Sequence, residues 1–96
     1  MNEYIAVDTE TTGLAHLTDQ MIEIGAVKVI EGEIVDSFSR LINPHRKLPE
    51  IVKDITGIED AMLVDACEEI EVLEDFLKFS GKNYIVVIIY YLTIDF

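Results

Sequence analysis

The sequence predicts an α/β fold in which helices pack on a mixed β-sheet, and three observations carry that prediction. Apolar runs of strand composition fill the first half of the chain, an amphipathic helical segment follows, and a second strand-like run comes after it. With 96 residues, of which 50% are apolar and 27% charged, the chain supports one compact domain and not a disordered acidic tail.

Each element has a local cause. Tyr4-Ile5-Ala6-Val7 reads as a short buried strand whose carboxyl end opens into the polar loop Asp8-Thr9-Glu10-Thr11-Thr12-Gly13, a common place for chemistry in α/β folds. Met21 to Ile30 is rich in Ile and Val, and Glu31-Gly32 follows as a two-residue turn in which the glycine takes positive φ. Ile34 to Ile42 is then the returning strand of an antiparallel hairpin, stopped by Asn43-Pro44 because proline lacks the N–H a ladder needs. Pro49 suits the first helical position of a short helix over Glu50 to Ile55, closed by Gly57. A longer helix is expected to begin near Asp65, whose carboxylate caps free N–H groups while Glu68 and Glu69 favour the positive end of the dipole. Ile70, Leu73, Phe76 and Leu77 share one helical face, and Ser80-Gly81 ends the helix. Tyr84 to Ile94 returns to strand composition. No helix follows it to cover the second face of the sheet, so the run Val86 to Tyr91 is expected to need a partner or a continuation of the chain.

Charge and cysteine usage exclude several classes. Seven basic against 19 acidic side chains leave a net charge of −12, and His45-Arg46-Lys47 is the only basic cluster. Unaided binding to nucleic acid is therefore disfavoured, because phosphates are neutralised by Lys and Arg; cations must help. A single cysteine, Cys67, rules out a disulfide framework or a multi-cysteine zinc site and fits a reducing cytoplasm. The opening residues carry no export signal, and the longest apolar run, Tyr84 to Leu92, falls short of the roughly 20 residues of a membrane helix. A cytoplasmic protein with no membrane partner is expected.

The chemistry centres on Asp8 and Glu10. Positions i and i+2 of an extended chain point to the same side, so both carboxylates can converge on one hard cation. Like charges held so close disfavour ionisation unless a cation neutralises them. Paired Mg²⁺ or Mn²⁺ ions at such a site stabilise the attacking and leaving oxygens of a phosphodiester. Most Asp-x-Glu pairs are nonetheless solvated turn acids. Thr11, Thr12 and Gly13 favour the metal reading, since small residues let a ligand approach the backbone.

Val7-Asp8-Thr9-Glu10-Thr11-Thr12-Gly13-Leu14 resembles the first motif of the DEDD 3′→5′ exonucleases, the family that includes the proofreading epsilon subunit of bacterial DNA polymerase III and ribonuclease T. The likeness continues in order through Met21 to Val27, the Gly32 turn, Leu41-Ile42-Asn43-Pro44, Ile55-Thr56-Gly57-Ile58, Ala61-Met62 and Glu71 to Leu77. The resemblance implies a ribonuclease-H-like mixed sheet, with antiparallel strands 1–3, then a helix and a parallel strand, five strands in the full family fold with helices on both faces. It implies that Asp8 and Glu10 are catalytic metal ligands of a two-metal Mg²⁺ or Mn²⁺ site. It places Thr11, Thr12, Gly13, Leu14, Thr56, Gly57 and Ile58 in the pocket for the 3′-terminal nucleotide. The family's second motif, His-Asn-x-x-Phe-Asp, corresponds to Tyr90-Tyr91-Leu92-Thr93-Ile94-Asp95, which keeps the metal-binding carboxylate at Asp95 and loses the His and Asn. The implied partners are the 3′ end of single-stranded DNA, or RNA, and a DNA polymerase subunit.

The family's third motif, which supplies a His or Tyr general base and a last Asp ligand, has no counterpart. His16 and His45 are followed at the required spacing by Met21 and Glu50, and both precede the second motif. Residues 1–96 therefore read as the N-terminal part of a single exonuclease domain, inactive or weak by itself for want of a base worth about 10²–10⁴-fold. A second reading is a non-catalytic acidic module that binds a protein through the exonuclease scaffold, motivated by the altered second motif and the acidic block Glu59 to Asp75, which otherwise reads as a solvated helix face. Glu23 is either a strand acid near the metals or one facing solvent. Cys67 reads as a small helix-start residue, and Tyr84, Tyr90 and Tyr91 as packing residues rather than base-stacking platforms.

Overall fold

The computed structural model describes residues 2–13 and 19–87. Four strands form one mixed sheet: β1 (Glu3–Thr11), β2 (Met21–Ile30), β3 (Glu33–Leu41) and β4 (Tyr84–Val87), in the order β3-β2-β1-β4. β1 and β2 are antiparallel, as are β2 and β3, and β4 lies parallel to β1 with Tyr4 opposite Tyr84 and Val7 opposite Val87. The connection to β4 contains three helices, α1 (Glu50–Thr56), α2 (Asp60–Leu63) and α3 (Glu69–Ser80). A parallel strand requires such a crossover, because a tight turn cannot reverse the chain direction twice. The mixed sheet expected from the sequence is thus present.

Strand alternation sorts the side chains into two faces. Ile5 and Val7 of β1, Ile24 and Ala26 of β2 and Phe38 of β3 pack with Ile42 against Val72 and Phe76 of α3. The Phe38 and Phe76 rings meet edge to face at 5.8 Å, a geometry that satisfies the ring quadrupoles. Ile22, at the end of β2 nearest the β1 carboxyl end, packs with Leu48, Val52 of α1, Ile58 and Leu63 of α2. Ile22 has the same parity as Ile24 and Ala26, so both clusters lie on one face of the sheet. The other face presents Tyr4, Ala6, Asp8 and Glu10 from β1 with Glu23, Gly25 and Val27 from β2. Helices on both faces, as the resemblance implied, are not found among the described residues.

Several local expectations need correction. β1 continues through Thr11 instead of opening into a loop after Val7, because Asp8, Thr9 and Glu10 pair with Gly25, Ile24 and Glu23 of β2. Pro49 is the N-cap of α1 and not its first residue, with ψ at 146°. Gly57 closes that helix as expected, at φ 74° and with its N–H bonded to the Lys53 carbonyl. α3 starts at Glu69, with Glu68 at the N-cap position making no side-chain cap bond, so the expected cap by Asp65 is not formed. Its buried residues are Val72, Phe76 and Ser80, whereas Ile70 and Leu77 are largely exposed. The helix is apolar around much of its circumference, and the contact with the sheet decides which stripe is covered. Cys67 precedes α3 in an isolated bridge to Ile42, where its carbonyl accepts the Asn43 N–H. The acidic block is not wholly solvated: Asp60 accepts the Leu48 N–H and the Lys53 ammonium, each at 2.8 Å, and Glu68 pairs with His45 at 2.8 Å.

The hairpin turn is as expected, with φ of 53° at Glu31 and 80° at Gly32, the signature of a type I′ turn that matches the strand twist. β4 is exposed on both faces, Tyr84 at 72% and Val87 at 59%. Tyr90, Tyr91 and the rest of the run expected to continue that strand lie outside the described residues. No helix among the described residues is long and apolar enough to cross a membrane.

Candidate functional site

β1 brings Asp8 and Glu10 to the sheet face opposite the helices, two residues apart on an extended backbone, so their carboxylates leave the same side. Glu23 stands directly across from Glu10 on β2, and Gly25 directly across from Asp8. Three acids thus meet on one patch. Partial burial, the Asp8 carboxylate and then the Glu23 carboxylate raise the Glu10 pKa above its ordinary 4.5. Beside Asp8 the face is hollow: an open concavity of about 360 Å³ is lined by Ala6, Asp8, Gly25, Val27 and Ser37. The absent side chain at Gly25 leaves this space next to the Asp8 carboxylate.

Past β1 the backbone enters a polar junction. Thr12 is 1% exposed, and its N–H bonds the Gln20 carbonyl at 2.8 Å. Its hydroxyl accepts from the Gln20 N–H at 3.0 Å and from Arg46 Nη2, and donates toward Asp19 Oδ1 at 3.4 Å. A hydroxyl has one donor and two acceptor positions, so this one is fully used. Gly13 packs against the Asp19 carboxylate so closely that a Cβ there would lie 2.3 Å from Oδ1. Thr11 donates its hydroxyl proton to the Gly13 carbonyl. Arg46 and Asp19 escaped sequence reasoning as part of this junction, because Arg46 is 34 residues from Thr12 and no local pattern links them.

The other expected site residues divide in two. Thr56, Gly57 and Ile58 end α1: the Thr56 hydroxyl donates to the Val52 carbonyl at 2.8 Å and accepts the Ile58 N–H at 3.1 Å, while Ile58 is buried against Ile22. Through Ile22 they adjoin the end of the sheet where β1 delivers Glu10, but the Ile58 side chain faces the core. Leu14, His16 and Asp95 lie outside the described residues. His45 sits in an exposed turn at φ 57°, both Glu68 carboxylate oxygens 2.8 Å from its Nε2.

Hard oxygen donors are the chemistry a divalent cation of the Mg²⁺ type takes, and such ions are commonly held by one or two carboxylates together with substrate phosphates. Asp8 and Glu10 fit that requirement, and their mutual repulsion is what a cation would relieve. Among the described residues no group of three or more His, Cys, Asp or Glu side chains is arranged to hold a metal alone.

A mixed sheet in this order, helices against one face and carboxylates on the other face of its first strand, defines a ribonuclease-H-like nuclease scaffold. The chain belongs to the DEDD 3′→5′ exonuclease family: the exonuclease family model matches residues 5–91. It is 51% identical over 78 residues to the PolC-type DNA polymerase III of Staphylococcus saprophyticus and 50% identical over 78 residues to that of Staphylococcus aureus. Those matches take in 81% of this chain but only 5% of either relative. Among solved structures, exonuclease X in complex with 5′-overhanging duplex DNA shares 32% identity at a TM-score of 0.69, covering 88% of this chain and 47% of that one. The fold alone is shared with cell-death related nuclease 4 (TM-score 0.78, 23% identity, 91% and 35% coverage). It is shared too with the nuclease domain of 3′hExo, a DEDDh family member bound to rAMP (0.74, 22%, 90% and 50%).

Proposed function

We propose that the chain carries the first half of a metal-dependent 3′→5′ exonuclease site of the proofreading type, releasing nucleoside monophosphates from the 3′ end of DNA. The observation that carries this reading is the same-face pair Asp8 and Glu10, crowded by Glu23 beside an open concavity. Likeness to polymerase III relatives supports a replicative setting in the cytoplasm, with a DNA polymerase as partner and DNA as the substrate, RNA being the alternative.

Asp8 and Glu10 would hold the cation, with Asp95, the carboxylate that matches the family's second motif, as a third ligand. When bound, Mg²⁺ or Mn²⁺ in a two-metal site supplies charge that stabilises the attacking and leaving oxygens of the phosphodiester. Thr11, Thr12, Gly13 and Leu14 would bind the terminal nucleotide together with Thr56, Gly57 and Ile58, the backbone from Thr11 to Gly13 being held by the Thr12 junction. Residues 1–96 would be the N-terminal part of the exonuclease domain, lacking the base and the fourth carboxylate of the third motif. The chain alone would therefore bind a 3′ end in a metal-dependent way and cleave it weakly or not at all.

The test is an assay on 3′-labelled single-stranded DNA with Mn²⁺ or Mg²⁺, run beside a binding measurement. Mn²⁺-dependent binding of the 3′ end, lost in Asp8→Ala, supports the reading, and slow release of mononucleotides with the same dependence extends it to catalysis. Absence of any metal-dependent binding, or binding indifferent to Asp8→Ala, refutes it and favours the acidic protein-binding module.

A further inference from the structure

The turn between β3 and α1 reaches back to the carboxyl end of β1 through one side chain. Arg46 Nη2 donates to the Thr12 hydroxyl and lies 3.5 Å from Asp19 Oδ1, so a single nitrogen engages both Thr12 and Asp19. Arg46 is itself fixed from the other side. Asn43 accepts the His45 N–H at 2.8 Å and donates its amide to the Val64 carbonyl at 3.2 Å, His45 pairs with Glu68, and the Leu48 N–H bonds Asp60. The turn is thus tied to the helical layer on both sides of Arg46.

We propose that Arg46 is a positioning residue for the terminal-nucleotide pocket, acting through Thr12 and not by contact with substrate. This rests on the proposed exonuclease reading, in which Thr11 to Gly13 bind the nucleotide. Three features favour a clamp over a direct phosphate contact. The Asp19 carboxylate already partners the guanidinium, and its side chain is only 12% exposed. Thr12 is buried, and its hydroxyl is saturated only when Arg46 is in place. Gly13 has no room for a side chain because Asp19 is held against it, so the position of the Gly13 backbone depends on the same carboxylate that Arg46 engages. A buried hydroxyl bonded to a guanidinium also loses more on truncation than a neutral pair does.

The experiment measures binding of Mn²⁺ alone, then of thymidine 5′-monophosphate at saturating Mn²⁺, to the chain and to Arg46→Ala, Arg46→Lys, Thr12→Val and the Arg46→Ala/Thr12→Val double variant. Amide hydrogen exchange is followed at Thr12 and Gln20. Arg46→Ala is expected to leave Mn²⁺ affinity unchanged, to weaken nucleotide binding about tenfold and to speed exchange at both amides. Arg46→Lys, whose ammonium offers one donor centre as Nη2 does, is expected to restore binding to within about threefold. The double variant is expected to bind no more weakly than the weaker single variant. Nucleotide affinity unaltered by Arg46→Ala overturns the inference, and so does full additivity in the double variant, which would mean that Arg46 touches the ligand directly. A global loss of protection throughout β2 in both Arg46 variants also overturns it, by making Arg46 a general fold residue. Absence of Mn²⁺-dependent nucleotide binding in the unaltered chain instead defeats the exonuclease reading on which it rests.

Discussion

Neutralising Glu10 should stabilise the metal-free protein. Glu10 shares its face with Asp8 and opposes Glu23 across the β1–β2 ladder. Side chains two apart on a strand leave the backbone about 6.6 Å apart, and directly opposed cross-strand pairs about 5 Å apart. At an effective dielectric constant between about 20 and 80, each such pair of charges repels by about 0.6–3 kcal/mol. The three side chains are only partly buried and water screens their repulsion, so removing the Glu10 charge by Glu10→Gln is expected to gain about 1–2 kcal/mol in all. For a domain of this size that raises Tm by roughly 4–16 °C. The gain has a defined pH window. Because the folded-state pKa of Glu10 is raised, the folded protein holds that proton more tightly, and ionisation erodes stability as pH rises above the ordinary 4.5 and through the raised value. The two proteins should therefore melt alike below about pH 4 and diverge toward neutrality. Circular dichroism melts in EDTA at low salt, repeated in 1 M salt, check this. A Tm for Glu10→Gln equal to or below that of the parent at pH 7, or a gain untouched by salt, would show that the three acids do not crowd one another.

Three further outcomes follow from particular contacts. Gly13→Ala places a methyl group against the Asp19 carboxylate and should cost about 1–3 kcal/mol, read as a lowered denaturant midpoint with an unchanged slope. Asp60→Asn should lower Tm at pH 7 by removing the Lys53 ion pair. Asp60 has a pKa depressed below 3.8 by the Lys53 ammonium and then the Leu48 N–H, so its contribution is present above pH 3.8 and fades as pH falls through the lowered value; the difference between the proteins should shrink in acid melts. Glu31→Asn, at a φ of 53° in a type I′ turn, should gain about 0.5–1 kcal/mol, seen as a higher Tm with no change in metal binding.

The hairpin of β2 and β3 and the closure of α1 at Gly57 were legible because turn chemistry is local: Gly32 and Gly57 are read from their own neighbours. Extension of β1 through Asp8 and Glu10 was not, since polar residues at a strand end look like loop until the pairing with Ile24 and Glu23 is known. α2, at four residues, is too short for periodicity to reveal. In α3 the stripe through Ile70 and Leu77 is as apolar as the one through Val72 and Phe76, and only the sheet against Phe76 distinguishes them. The acidic pair of the candidate site could be picked out from its spacing and motif. Its support could not: the Arg46 to Thr12 bond spans 34 residues, and an arginine in a basic turn carries no local mark of its partner.

Whether Asp8 and Glu10 form a cation site is tested most directly by calorimetric titration of the chain with Mn²⁺. Saturable binding to the parent chain is expected, weakened at least about tenfold by Asp8→Ala and accompanied by a rise in Tm that the variant lacks. Heat indistinguishable from dilution, or equal binding by Asp8→Ala, would contradict it.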